Sequence, residues 1–270
     1  MDKTTSLGDA IACIKNGMRI GLGGMTLYRR PVLAAIAMGA AGLKDLELVT
    51  LTGGIETDLL IGAGCVSTLR SCYTGLEVAG FAPHFTRCIQ NGSLALVEET
   101  EYTLSYAVQA AAMRVPFLPM LGVIDQTDIA SVRKDLKKFI CPLTGVDLYA
   151  VPALSLDVAI IHVSAADKLG NCNFQGQIGI DTYLPMVAEK TIVTTERIVT
   201  TDELIAMPGS VQIPGLTVTH VVKAPGGSFP TSCLPSVSLD MDALLDYADA
   251  ARDEKLWVGW WSDAKRRVVS

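Results

Sequence analysis

The chain has 270 residues, of which 50% are hydrophobic and 19% are charged, and its formal net charge is −6. The acidic balance and the lack of a basic stripe argue against a nucleic-acid partner, and no apolar run is long enough to span a bilayer. A mean hydropathy of +0.37 is high for a soluble monomer, so we expect a large core and a buried subunit interface.

The seven cysteines form no C-x-x-C pair, and none stands at zinc-binding spacing with a histidine. The first residues, MDKTTSLGDA, lack the apolar segment of a secretory signal. The sequence therefore predicts a cytoplasmic protein with reduced thiols and no bound metal.

Strands and helices alternate in the first half of the chain. Capping residues, apolar runs and glycine stops predict helices and strands in turn. The helices are predicted over 6–14, 32–41, 57–63 and 84–91, and the strands over 18–22, 46–52, 67–72 and 94–98.

The second half continues this pattern after a helix over 102–113 and a strand over 116–121. Residues 126–138 are polar, and we predict a mobile excursion there. Further strands are predicted over 146–151, 158–163, 191–195 and 218–222, and helices over 201–206 and 241–251. The pattern favours one α/β domain over 1–270, with an open, mostly parallel sheet flanked by helices.

Glycine-rich or polar loops follow three successive strands. They contain Gly23–Gly24, Gly53–Gly54 and Tyr73–Gly75. Ligands of open parallel sheets bind at the carboxyl ends of the strands, so we expect these loops to form a site. Free N–H groups in the first loop would attract an anionic oxygen, although a tight turn without ligand is the alternative. A dinucleotide site is disfavoured, because Thr26 stands where that motif needs a third glycine.

Several segments in a specific order resemble the A-type subunit of family I coenzyme A-transferases, above all the glutaconate CoA-transferase type. The resemblance extends from about residue 7 to about residue 245. It is carried by IGLGGMTLYRRP (20–31), RSCYTG (70–75), AAAMRVPFLP (110–119), LDVAIIHVSAADKLGN (156–171), KTIVTTERIV (190–199) and VVKAPGGSFPTSC (221–233).

The resemblance implies a site shared between an A-type and a B-type subunit. A glutamate of the B-type subunit, in a Ser-Glu-Asn-Gly-like motif, attacks the acyl-CoA thioester, and CoA passes to a second carboxylate through a glutamyl-CoA thioester. The sequence here lacks that motif. We therefore expect a separate partner chain, a CoA thioester as substrate and no tightly bound cofactor.

The resemblance also implies which residues contact the substrate. Gly23, Gly24, Met25 and Thr26 would offer N–H groups to the thioester oxygen. Arg29 would pair a substrate carboxylate, or else cover the following helix as a surface arginine. Ser71, Cys72 and Tyr73 match a loop beside the acyl pocket, and simple edge packing is the alternative for Tyr73.

Glu101 occupies a position where many related A-type subunits carry glutamine. A related hydrolase that opens a ring in steroid catabolism has an acidic residue there, and a buried carboxylate could act as a general base. Those hydrolases also carry an arginine after the PFLP run, where this chain has Leu121. The alternative is a solvated residue in the cluster Glu98, Glu99 and Glu101.

The leading prediction is thus the A-type subunit of a heteromeric CoA-transferase. The alternatives are an acyl-CoA hydrolase that uses Glu101, a component of an acyl-CoA decarboxylase, and a non-catalytic module that binds CoA esters.

Overall fold

A parallel β-sheet forms the centre of the computed structural model, which describes residues 1–268. Its strands are β1 (Arg19–Leu22), β2 (Leu46–Val49), β4 (Val66–Ser71), β6 (Ala95–Glu98), β10 (Leu156–Asp167), β12 (Ala188–Val199) and β13 (His220–Lys223). The remaining strands are β3 (Thr52–Gly53), β5 (Tyr73–Thr74), β7 (Phe117–Leu121), β8 (Lys137–Ile140), β9 (Asp147–Pro152) and β11 (Cys172–Asn173).

Helices cover both faces of this sheet. They are α1 (Leu7–Ile11), α2 (Val32–Ala40), α3 (Ile55–Gly62), α4 (Pro83–Gln90), α5 (Glu101–Ala112), α6 (Ile129–Val132), α7 (Leu184–Val187), α8 (Thr201–Ile205), α9 (Met241–Arg252) and α10 (Glu254–Arg266). Short 3-10 turns occur at Glu77–Ala79, Gly122–Gln126 and Gly215–Thr217. The predicted mostly parallel α/β architecture is confirmed.

The strand order is β13-β12-β10-β1-β2-β4-β6, and all neighbours in this order run parallel. From β1 the chain adds strands outward on one side, and it later returns to add β10, β12 and β13 on the other side. The order therefore reverses between β1 and β10. In such sheets a crevice opens outside the carboxyl ends of the strands at this reversal, and the glycine loop after β1 lies there.

Two hydrophobic clusters lie on opposite faces of the sheet, because side chains alternate along each strand. Val158 and Ile160 of β10 belong to one cluster, with α1, α2, α3, α9 and α10. Ala159 and Ile161 belong to the other, with α5 and strands β7 and β9. The sheet is thus buried on both faces, which explains why its central strands are continuously apolar.

A second, antiparallel sheet was not foreseen. Strands β7 and β9 fall where strands were predicted, but they pair with β8 in the order β7-β9-β8, away from the main sheet. The stretch 126–138, predicted as a mobile excursion, instead forms α6 and the start of β8. The polar composition was misleading because Arg133 is buried there against Glu99.

The tryptophan-rich tail packs on the fold. Trp257 stacks on Trp260 with ring centroids 5.6 Å apart, and both contact the core cluster on the α2 side. Gly39 of α2 makes room for this helix, since a Cβ there would lie 2.6 Å from the Trp261 ring. All three tryptophans therefore pack against the core cluster on this side of the sheet.

Within residues 1–268 no helix combines the length and apolarity needed to cross a membrane. All seven cysteines are free thiols. Cys65, Cys172 and Cys233 are fully buried and act as small apolar residues of the core.

Candidate functional site

Three loops converge at the carboxyl edge of the main sheet, as the sequence predicted. The Thr26 N–H in the loop after β1 donates to the Thr52 hydroxyl after β2, at 3.0 Å. The Gly75 N–H after β4 donates to the Gly53 carbonyl, at 3.1 Å. Strands β3 and β5 belong to these same loops and pair in parallel. The loops therefore form one continuous rim at this edge.

The glycine-loop amides are already occupied. Residues 23–26 each donate their N–H to an acceptor of the same chain, at 2.9 to 3.0 Å. The acceptors are the Ile160 carbonyl for Gly23, the Asp181 carboxylate for Gly24, the Tyr28 carbonyl for Met25 and the Thr52 hydroxyl for Thr26. The expectation that these four amides await a substrate oxygen is therefore not met. The physical reason is that buried N–H groups must be paired.

A tight turn forms the tip of this loop. Met25 and Tyr28 exchange two backbone hydrogen bonds, at 3.0 and 2.9 Å, which places Thr26 and Leu27 at the tip. Thr26 has φ +51°, a left-handed conformation that is unfavourable for a β-branched residue. Within residues 23–28 of the described chain, Leu27 is the residue whose N–H has no hydrogen bond. It is the remaining backbone donor at the tip.

Arg29 is buried and bound to the protein itself. Its Nη1 donates to Asp181 Oδ2 at 2.5 Å, its guanidinium also donates to the Gln177 carbonyl, and it lies 4.1 Å from the Phe174 ring centroid. Both side chains of the Arg29–Asp181 pair are fully buried. The structure thus supports neither a free cation for a substrate carboxylate nor a surface arginine. Arg29 instead fixes the base of the glycine loop.

Arg30 is held in a similar way on the other side of the loop. Its Nε and Nη2 donate to the two carboxylate oxygens of Glu56 at 2.7 and 2.6 Å, a two-point contact in which both partners are fully buried. The guanidinium also donates to the Thr52 carbonyl. Arg29 and Arg30 thus anchor the loop to two different parts of the chain, Arg29 to Asp181 and Arg30 to Glu56.

The loop after β4 combines buried and exposed groups. The Ser71 hydroxyl is buried and donates to the Tyr73 carbonyl at 2.6 Å. The Cys72 thiol donates to the Leu51 carbonyl at 2.6 Å. Burial, reinforced by the Glu101 carboxylate, raises the pKa of Cys72 to about 11, so the thiol is protonated at neutral pH. Tyr73 remains 42% exposed at the rim.

Glu101 is exposed, which matches the alternative of a solvated residue and not that of a buried carboxylate. It opens α5 directly after the capping residue Thr100, where a negative charge is favoured by the helix dipole. The buried carboxylate of this cluster is Glu99, which accepts from Arg70 at 2.7 Å and also pairs with Arg133 and the Thr103 hydroxyl. Glu101 thus lies near Cys72 at the rim of the crevice, whereas Glu99 is engaged by Arg70 and Arg133.

Sequence reasoning missed the acceptors that organise the site. Asp181 lies 152 positions from Arg29, so no local pattern signals the pair. His162 is fully buried, with Nε2 2.8 Å from Glu196 Oε1. Glu196 in turn accepts the Gly226 N–H at 2.8 Å. The useful signal would have been polar residues, His162 and Glu196, inside strongly apolar strands.

One buried group has the composition of a metal site. Ligand atoms of His162, Glu196 and Cys233 lie within 4.8 Å of one another. Burial raises the pKa of the Cys233 thiol to about 12, and His162 and Glu196 are already hydrogen-bonded to each other. His162 Nδ1 also lies 2.9 Å from the Thr194 hydroxyl, so both ring nitrogens of His162 already have partners within the chain.

The family model described as Coenzyme A transferase matches residues 4–224. An uncharacterised protein of Archaeoglobus fulgidus is 33% identical over 94% of the chain, which spans 57% of that protein. The cholesterol ring-cleaving hydrolase IpdA subunit of Mycobacterium tuberculosis is 34% identical over 96% of the chain and 90% of its own length.

The A-type subunit of glutaconate CoA-transferase from Acidaminococcus fermentans is 32% identical over 94% of the chain and 85% of its own length. The crystal structure of that enzyme superposes with a TM-score of 0.87 and 30% identity, over 97% of this chain and 88% of the other. The decarboxylase AibA/AibB superposes with a TM-score of 0.85 and 28% identity, over 97% of this chain and all of the other.

Proposed function

Since this chain belongs to the coenzyme A transferase family, we propose that it acts as the A-type subunit of a heteromeric CoA-transferase. The enzyme moves CoA from an acyl-CoA thioester to a carboxylic acid. The CoA thioester is its substrate, no further cofactor is held tightly, and the active complex is a cytoplasmic hetero-oligomer with a B-type subunit.

The observation that carries this proposal is the state of the carboxylates beneath the crevice. Asp181, Glu56 and Glu99 are each buried and each paired with at least one arginine. A carboxylate attacks a thioester only when it is free and positioned at the carbonyl carbon. These three groups serve the fold and are not available for attack. The attacking carboxylate is then either the exposed Glu101 or one supplied by another chain, and the missing Ser-Glu-Asn-Gly-like motif supports the second.

The rim of the crevice has a defined part in this proposal. The turn Met25–Tyr28 is a rigid wall against which the thioester lies, and the Leu27 N–H is the donor that faces the thioester oxygen. Tyr73 and Glu101 border the opposite side. The A-type subunit thus orients the thioester, and the B-type subunit provides the nucleophile.

The test is to locate the covalent intermediate. The chain is purified with its B-type partner, incubated with acyl-CoA, treated with borohydride to reduce the enzyme–CoA thioester to an alcohol, and digested for peptide mass mapping. We expect a reduced glutamate in a peptide of the partner and an unmodified Glu101. A reduced residue in this chain would overturn the assignment of the nucleophile, and this chain alone should form no adduct.

A hydrolase is the second candidate, and Glu101 is the observation that favours it. An exposed carboxylate at the crevice can activate water once the partner subunit covers it. The two functions differ in acceptor: a hydrolase releases free CoA without a second carboxylic acid. Release of CoA at the same rate with and without added acetate would favour the hydrolase.

A further inference from the structure

A second cavity lies beside the crevice, at the junction of α5 and the small antiparallel sheet. It has a volume of about 450 Å³, within the range of small-molecule sites. Its apolar lining comes from Tyr102, Tyr106, Met120, Leu121, Ile124 and Ile129, and two threonine hydroxyls complete it. Tyr102 and Tyr106 meet edge to face, with ring centroids 6.5 Å apart, and form an aromatic wall.

The start of α5 connects the cavity lining with the loop after β4, since the Glu101 carboxylate lies close enough to Cys72 to raise the pKa of its thiol. Thr100 lines the cavity, and the preceding residue, Glu99, donates its N–H to the Ser71 carbonyl at 3.1 Å. Glu101 stands between the two lining residues Thr100 and Tyr102. An acyl chain on a thioester held beside Glu101 therefore meets the apolar side chains that line this cavity.

The cavity offers no positive charge to a ligand. No lysine, arginine or histidine is among its lining residues in the described part of the chain. The arginine nearest in sequence, Arg133, pairs with Glu99 and Asp135. Lys138 pairs with Asp125 at 2.7 Å and with Asp147 at 3.0 Å. A ligand carboxylate would lose its hydration here without gaining a partner.

From this lining we infer that the acyl group transferred by the enzyme is an uncharged hydrocarbon chain, bound in the cavity between α5 and strand β7, and not a dicarboxylic acyl group. This inference rests on the proposed function, since it names the substrate class of that same site. Leu121 is its selectivity-determining residue, because it lies at the mouth and is 61% exposed.

The experiment compares hexanoyl-CoA with glutaryl-CoA on the purified two-subunit complex, by kcat/KM for CoA transfer and by Kd from calorimetry. We expect hexanoyl-CoA to be preferred by at least about tenfold in both measurements. We also expect kcat/KM to increase by about fourfold for each methylene that becomes fully buried from butyryl to hexanoyl. Equal or better use of glutaryl-CoA would overturn the inference.

A charge-introducing variant sharpens the comparison. Leu121→Arg places a guanidinium at the mouth, and we expect the hexanoyl-to-glutaryl ratio to fall by about tenfold or more. Leu143→Arg is the matched control, because Leu143 is 92% exposed and does not line the cavity. An unchanged ratio in Leu121→Arg would contradict the inference. Separation of the two chains by Leu121→Arg alone would also contradict it, and would assign the cavity to the interface.

The two proposals fail in different ways. If no acyl-CoA supports transfer while hexanoyl-CoA still binds more tightly than glutaryl-CoA, the proposed function fails and the acyl preference stands. If transfer occurs with a preference for glutaryl-CoA, the function stands and the acyl preference fails.

Discussion

The guanidinium of Arg29 lies 2.5 Å from the carboxylate of Asp181, in a pair that has no contact with solvent. The same carboxylate accepts the Gly24 N–H at 2.9 Å. One acidic side chain therefore fixes both ends of the turn that forms the wall of the crevice.

Removing this carboxylate should strongly destabilise the chain. Asp181→Ala leaves a buried guanidinium and a buried N–H without their acceptor, and we expect the free energy of unfolding to fall by about 3–5 kcal/mol. Urea denaturation measures the change. Asp128→Ala, at an exposed position ahead of α6, should change stability by less than about 0.5 kcal/mol. Equal effects in both variants would contradict the role assigned to the pair.

Thr26 should show a conflict between stability and activity. Its φ of +51° costs a β-branched residue about 1–2 kcal/mol, which glycine avoids. Thr26→Gly should therefore unfold at higher urea concentration, while CoA transfer by the complex decreases because the turn tip loses its fixed shape. Asp45 has φ +59° at a site far from the crevice, so Asp45→Gly should leave transfer unchanged. A Thr26→Gly enzyme with full activity would argue against the wall.

Glu101 distinguishes the two candidate functions. In a transferase whose nucleophile comes from the B-type subunit, Glu101→Gln keeps the size of the side chain and should reduce kcat by less than about tenfold. In a hydrolase with Glu101 as general base, the loss should be about 100-fold or more. The assay follows the transferred acyl group and free CoA separately. Glu98→Gln is the control, because Glu98 is an exposed carboxylate of the same cluster.

Cys72 should be dispensable for chemistry. Its pKa of about 11 keeps the thiol protonated at neutral pH, and a protonated thiol is a poor nucleophile. Cys72→Ser retains a donor for the Leu51 carbonyl, and we expect kcat to stay within about threefold of the parent enzyme. A loss of 100-fold would reveal a thiolate step that the structure does not support.

Two buried groups should oppose each other in the pH dependence of stability. Burial raises the pKa of Asp58 to about 6 and lowers the pKa of His84 to about 4. The Asp58 contribution to stability therefore decreases as pH rises from about 4 to 6, because its folded carboxyl holds the proton more tightly. The His84 contribution increases from about pH 4 to 6.5, because the unfolded imidazole binds the proton more tightly.

In Asp58→Asn only the His84 effect remains, so the stability of this variant should rise with pH more steeply than that of the parent protein. His84→Gln should produce the opposite change in slope. Urea unfolding at pH 4.5, 5.5 and 6.5 provides the profiles. Parallel profiles for the parent and both variants would refute the assignment.

The sequence predicted the sheet well because its signal is local. Strand β10 and its parallel partners are apolar on both faces, and glycine loops mark their carboxyl ends. These local patterns were enough to predict the fold class and the position of the crevice. The pairing of β7, β8 and β9 could not be predicted, because short exposed strands carry no register information before their partners are known. The polar segment around Arg133 was misjudged, since its buried partner Glu99 lies in another element.

The sequence predicted the position of the crevice better than the hydrogen bonding and burial of its residues. Glycine spacing indicates where a turn occurs, but not whether its amides are already bonded. The acceptors for Gly23 and Gly24 come from Ile160 and Asp181, far along the chain. The burial of Arg29 was not predicted for the same reason, because burial depends on contacts that no short motif contains.

The hydrogen bonds within the loop after β1 have a thermodynamic consequence for assembly. A segment whose backbone is already ordered in the isolated chain loses little conformational entropy when a second molecule covers it. Association of this chain with the proposed B-type subunit should then resemble the docking of two surfaces that are already ordered. Its rate should be set by encounter and orientation.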